Sequence, residues 1–141
     1  MNTIIHWNLQ SYYTHFSDLK LLIRDYSPGV ICLQETLIKQ NRQTYPPSQY
    51  NILTSNVTRN DSHERGSAIL IHQNIFHQKI NLDTNLQAVA TRVMIGKLYS
   101  VCSIYIPHLP TDNLKRDLSH LIDQLPQPFL LSGDLNARSP M

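Results

Sequence analysis

The sequence predicts an α/β (α+β) domain, because short apolar runs rich in β-branched residues alternate with stretches whose leucines recur at helical spacing, with turn formers between them. A further observation points from fold toward function. Four apolar runs stop on a residue that can bind a metal or a phosphate: Ile4-Ile5-His6-Trp7 before Asn8, Val30-Ile31-Cys32-Leu33 before Gln34-Glu35, Val101-Cys102-Ser103-Ile104 before Tyr105, and Phe129-Leu130-Leu131-Ser132-Gly133 before Asp134-Leu135-Asn136. If these runs are buried strands, their C-terminal ends set a carboxamide, a carboxylate, a phenol and an Asp-x-Asn pair along one rim. That is where α/β proteins place their sites.

The first strand is expected over about Thr3 to Asn8, followed by a polar aromatic loop. Leu19, Leu22, Ile23 and Tyr26 then fall on one helical face, with Ser17 as the expected cap and Pro28-Gly29 as the stop. The second strand leads to Glu35. Thr36 to Gln49, containing Pro46-Pro47, reads as a long loop, and strands are expected near Tyr50 to Thr54, Ser67 to His72, Gln87 to Ile95 and Lys97 to Ile106. Gly96, within Met94-Ile95-Gly96-Lys97-Leu98, predicts a tight hairpin. Leu114, Leu118, Leu121, Ile122 and Leu125 predict a second helix, entered through Thr111 or Asp112 and closed by Pro126. The last strand, Phe129 to Leu131, delivers Asp134 and Asn136.

Each rim residue also has an ordinary structural explanation. Asn8 can be a turn former at a strand end, Tyr105 a core aromatic with its hydroxyl at the surface, and Gly133-Asp134 a turn. Glu35 fits such an explanation least, because it is one of only two glutamates, with Glu64, and directly follows a buried-type strand. The coincidence of all four carries the argument.

Composition bounds the remaining possibilities. At 141 residues and 41% hydrophobic, with no linker, repeat or low-complexity tail, the chain reads as a single domain. The net charge of +2 permits a nucleic-acid partner, although the twelve Lys and Arg are scattered and only Lys115-Arg116 adjoin. No stretch is apolar for long enough to span a bilayer, and Met1-Asn2-Thr3-Ile4 lacks the blocks of a signal peptide, so an intracellular protein, nuclear or cytoplasmic and not secreted, is expected. Cys32 and Cys102 both fall inside strand runs and are expected to be buried free thiols. On an intracellular chain the sequons at Asn56 and Asn60 are loop composition only. Of the seven histidines, His6 is expected half-buried on its strand and the others solvated.

The order Trp7-Asn8, Leu33-Gln34-Glu35-Thr36, Ser103-Ile104-Tyr105-Ile106-Pro107 and Ser132-Gly133-Asp134-Leu135-Asn136-Ala137 resembles the endonuclease/exonuclease/phosphatase superfamily. Within it the chain is most similar to the endonuclease domain of non-LTR retrotransposons, especially jockey-type elements. Leu21-Leu22-Ile23 before Tyr26-Ser27-Pro28, Ala68-Ile69-Leu70-Ile71, Leu86-Gln87-Ala88-Val89-Ala90 and Leu125-Pro126-Gln127-Pro128 agree with that subfamily. The resemblance spans nearly the whole chain.

The resemblance implies a four-layer α/β/β/α sandwich and a phosphodiester hydrolysed by an activated water with Mg2+ (or Mn2+). It implies Glu35 as the main metal ligand with Asn8 in the metal shell, and Asp134 to orient or deprotonate the water. Asn136 and Asn8 would fix the phosphate, and Tyr105 would donate to the developing phosphoryl charge. DNA at a target site would be the substrate, and a reverse transcriptase domain in the parent polyprotein the partner. In the family a later aspartate and a Ser-Asp-His motif complete the pocket; residues 1–141 are therefore expected to be a partial domain without its C-terminal part, mostly the first sheet and its helices. The inner face of that sheet, with Trp7, Val30, Cys32 and Ile104, would then be uncovered. Two departures from the family pattern concern loops: Leu9-Gln10-Ser11 stands where Asn-Gly or Asp-Gly is frequent, and Gly66-Ser67 where a glycine pair is usual. Two other readings share the same residues, a catalytically dead fragment of a degraded element and an abasic-site nuclease or inositol or lipid phosphatase.

Overall fold

The computed structural model describes residues 1–39, 43–55, 65–106 and 113–134, with residue 134 described by its backbone only. In chain order the elements are β1 (Ile4–Asn8), α1 (Phe16–Tyr26), β2 (Val30–Gln34), β3 (Tyr50–Thr54), β4 (Ser67–His72), β5 (His77–Ile80), β6 (Gln87–Ile95), β7 (Lys97–Tyr105), α2 (Leu114–Asp123) and β8 (Phe129–Asp134). They form two four-stranded sheets, ordered β1-β2-β4-β3 and β5-β6-β7-β8. Both sheets are mixed. β1 and β2 run parallel through α1, β7 and β8 run parallel through α2, and the other pairings are antiparallel.

The period-2 alternation of the strands explains the layering. On β2, Ile31 and Leu33 join Leu70 of β4 and Leu19 of α1 in the outer cluster, while Val30 and Cys32 point the other way. There they meet Ile69 and Ile71 of β4 and Val89, Val93 and Val101 of the second sheet. The outer face of that sheet, through Ala90, Cys102 and Ile104, packs on Leu121 of α2. Helix, sheet, sheet and helix thus form the α/β/β/α sandwich. A strand covered on both faces has no polar side to show, and β2 is buried along its whole length.

Several expectations need correction. The chain is not mostly the first sheet: the long β6–β7 hairpin, turning at Gly96 with φ +71, supplies a second sheet of equal strand number. Val30 and Cys32 are accordingly covered, and Ile104 faces α2 instead of the interior between the sheets. The first helix begins at Phe16 with His15 at its N-cap and no side-chain cap bond, so Ser17 lies inside the helix; it ends at Tyr26, and the C-cap Ser27, with a φ of 43, gives the left-handed stop. His6 is exposed, because β1 is an edge strand. β5 carries no strand pattern in its sequence, because His77-Gln78-Lys79-Ile80 has one apolar residue and holds its place by backbone pairing at the edge. The proposed helix entrance at Thr111 and Asp112 lies outside the described residues, as do both sequons; the described cap is Asn113. No helix among the described residues is long and apolar enough to cross a membrane.

Both cysteines are free and buried, as expected. Burial disfavours the thiolate and pushes each thiol from an ordinary 9.0 up to about 12. For an acid whose folded pKa is raised, the contribution to stability is complete below the unfolded value and is lost as pH climbs toward the folded one. Thermal stability should therefore fall between pH 9 and pH 12, the range between those two values. Ellman's reagent should find no reactive thiol in the native protein at pH 7. Rapid stoichiometric labelling without unfolding would contradict this packing.

Candidate active site

The site is built where strands from both sheets end together. β1 ends at Asn8, whose Cα partner on β2 is Gln34. Beyond the strands the pairing continues: the N–H groups of Leu9, Ser11 and Tyr12 donate to the carbonyls of Gln34, Glu35 and Thr36 at 3.0, 2.9 and 2.8 Å. On the other side, Leu37 N–H donates to the Arg65 carbonyl at 2.8 Å. Glu35 is thus clamped from both flanks with its backbone at φ 53, a left-handed conformation unusual for a residue with a Cβ. Gln10 and Ser11, with φ of 53 and 107, share that property, so the sequence departure Leu9-Gln10-Ser11 falls where glycine would be unstrained. Left-handed non-glycine residues cost on the order of 1–3 kcal/mol each and persist where surrounding structure over-determines them.

The second sheet supplies the opposite half. Gln87, Tyr105 and Asp134 are successive Cα partners across β6, β7 and β8. Three sets of side-chain bonds bring these ends against the first sheet. Gln34 Nε2 donates to Ser103 Oγ at 2.8 Å, and Ser103 Oγ in turn donates to the Leu33 carbonyl at 2.9 Å. Ser67 Oγ shares its proton between the carbonyls of Gln87, at 2.9 Å, and Ser103, at 3.0 Å. His6 Nδ1 lies 2.6 Å from Ser132 Oγ. Ser103 and Ser132 stand two residues before Tyr105 and Asp134, so these contacts hold the two sheets in register at the site end.

The sequence-derived residues are distributed as follows. Asn8 ends β1 and Glu35 directly follows β2 in the first sheet, while Tyr105 and Asp134 end strands of the second, so the rim spans two sheets instead of one. Tyr105 is buried at 5% exposure. Asp134 is placed by its backbone, and Asn136 lies outside the described residues. Glu35 is nearly buried, and its Oε1 lies 3.6 Å from Nε of the half-exposed Arg65. Arg65, Gln34, Ser67 and Ser103 were not singled out in the sequence. Arg65 comes beside Glu35 only because β4 runs antiparallel to β2 with Ser67 opposite Gln34, a pairing that no local pattern encodes.

The donor set suits a small hard cation. Among the described residues no three His, Cys, Asp or Glu side chains converge. The described oxygen groups on the first-sheet side of the rim include the Glu35 carboxylate and the Asn8 Oδ1 oxygen, which is buried and has no hydrogen-bond partner among the described residues. Mg2+ is commonly held by one or two carboxylates while keeping several waters, and an orphaned carboxamide oxygen is an acceptor that such a shell would satisfy. Asn8 and Glu35 therefore fit the cation, with Arg65 as the neighbouring positive charge.

Comparison with known proteins bears on the family and the fold. The model of the Endonuclease/Exonuclease/phosphatase family matches residues 5–140. No curated protein matches in sequence. Among solved structures, the endonuclease domain of TRAS1, a telomere-specific non-LTR retrotransposon, superposes with a TM-score of 0.72 at 17% identity, over 96% of this chain and 61% of that one. The human Nocturnin catalytic domain gives 0.60 at 19% identity, over 93% and 62%. An AP endonuclease from Archaeoglobus fulgidus gives 0.60 at 17% identity, over 97% and 58%. The chain thus spans about three-fifths of the length of these structures.

Proposed function

This chain belongs to the endonuclease/exonuclease/phosphatase family, and from that premise we propose that it is the N-terminal part of a Mg2+-dependent DNA endonuclease of the retrotransposon kind. The observation that carries the proposal is the two-sheet rim, with Asn8 and Glu35 on one side facing the strand ends of Tyr105 and Asp134 on the other. The likeness to the TRAS1 domain over 96% of the chain supports DNA as substrate.

Bound at Glu35 and Asn8, the cation would supply Lewis-acid neutralisation of phosphoryl charge. The chain's own residues would do the rest. Glu35 and Asn8 hold the shell with oxygen donors, Asp134 orients or deprotonates the attacking water, and Asn136 and Asn8 fix the phosphate through their amides. Tyr105 donates toward the charge that develops on the phosphoryl oxygens. Arg65, paired with Glu35, adds a cation that a phosphate can recruit. The remaining groups of the pocket, and the reverse transcriptase that would use the 3′ hydroxyl, belong to the parent polypeptide in this reading.

The proposal separates from the repair-nuclease and phosphatase alternatives by substrate. Supercoiled plasmid, an abasic-site duplex and an inositol polyphosphate should be offered with Mg2+ to the chain extended by a family C-terminal segment. Nicking of undamaged plasmid, stopped by EDTA, is expected. Cleavage confined to the abasic duplex, or phosphate release from the inositol alone, would replace the proposal. Full inactivity on all three would favour the dead-fragment reading.

A further inference from the structure

Gln34 is fully buried, yet only one arm of its carboxamide is satisfied. The direction of that arm is fixed by bonding logic. Ser103 Oγ has a single proton, given to the Leu33 carbonyl, so toward Gln34 it can only accept and Nε2 must face it. A second carbonyl, that of Ser132, lies 3.5 Å from the same nitrogen. Oε1, on the opposite arm of the same planar group, is therefore turned away from Ser103, and it is buried without a partner among the described residues. Asn8 is the Cα partner of Gln34, and in paired parallel strands such residues share a face. Its Oδ1 is buried and unpartnered too. Two orphaned acceptors thus sit side by side at the inner edge of the first sheet, each leaving an uncompensated desolvation cost that native structures rarely tolerate. Donors are what both lack among the described residues, and the waters of a hydrated cation are donors.

We propose that Gln34 is a positioning residue for the cation site, its Nε2 anchored to Ser103 of the second sheet so that Oε1 accepts from the hydration shell held by Glu35 and Asn8. The inference rests on the reading of the rim as a cation site. Through it the shell is tied to β7, two residues before Tyr105, and the two halves of the rim are held to one geometry. Partners that orient a metal shell from outside are worth roughly 10 to 100-fold in metal affinity.

The test is Mn2+ binding to the 141-residue chain, followed by the electron paramagnetic resonance signal of free Mn2+, beside a thermal melt of each variant. Glu35→Gln should abolish binding. Gln34→Met, similar in volume and lacking both amide arms, should weaken it about 10 to 100-fold. Ser103→Ala should weaken it in the same direction by less, and the double variant should bind no worse than Gln34→Met, because both act through one contact. A merely structural role would lower the melting temperature and leave the affinity of the folded protein unchanged. If Gln34→Met does not fold, Ser103→Ala decides, together with paramagnetic broadening of the Gln34 side-chain amide signals by Mn2+ in the unsubstituted chain. Loss of binding in Glu35→Gln, with parental affinity in Gln34→Met and Ser103→Ala, would overturn the role of Gln34 and leave the cation site standing. Parental affinity in Glu35→Gln would overturn both.

Discussion

Glu35→Gln is expected to reduce Mg2+-dependent nicking by on the order of 100 to 1,000-fold or more in the extended protein, the scale on which a single preorganised charge-stabilising group acts. The substitution preserves shape and removes the carboxylate charge that would hold the cation, so the loss should fall on kcat and on the Mg2+ requirement more than on DNA binding. Stability should hardly change. The Arg65 partner is half-exposed, and ion pairs of that kind contribute about 0–1 kcal/mol, a shift of a few degrees at most. A circular-dichroism melt beside a plasmid assay checks both halves. Undiminished nicking would show that the wrong carboxylate has been identified, and a collapsed melt with it would point to a structural glutamate.

Gly133→Ala is expected to damage stability and activity together. Gly133 is the Cα partner of Ile104 across the parallel β7–β8 pair, and a Cβ there would press on the Ile104 carbonyl oxygen and come within 2.7 Å of its Cγ2 atom. Backbone cannot yield as a flexible side chain does, so β8 must shift. Overpacking of this kind costs about 1–3 kcal/mol, occasionally more, or several degrees in melting temperature for a chain of this size. The displaced strand end carries Asp134, so nicking should fall as well. A variant with parental melting and nicking would contradict the close approach of these two strands.

What could be read from the chain divides by the range of the interactions. Strands whose apolar residues fill a whole run, such as Val30–Gln34 and Ser67–His72, announce themselves, and so do helices with a leucine stripe, as in α2. β5 does not, because an edge strand is held by backbone bonds that leave no mark on side-chain pattern. Residues that end strands could be proposed for the site because strand ends are local. Their meeting across two sheets could not, since it depends on Gln34, Ser67 and Ser103 bonding over sequence separations of 36 and 69 residues. The even division between sheets was hidden for a similar reason: nothing local tells that Val101 faces Val30 while its neighbour Cys102 faces α2. Arg65 beside Glu35 is likewise a product of antiparallel register.

On the proposed function, Asn8 and Glu35 form a hard-cation site at the two-sheet rim. Crystals soaked in Mn2+ and measured for anomalous scattering test it most directly. A single strong peak is expected within coordination distance of the Glu35 carboxylate and Asn8 Oδ1, abolished in Glu35→Gln. A peak bound elsewhere, or none at these residues under millimolar Mn2+, would contradict it.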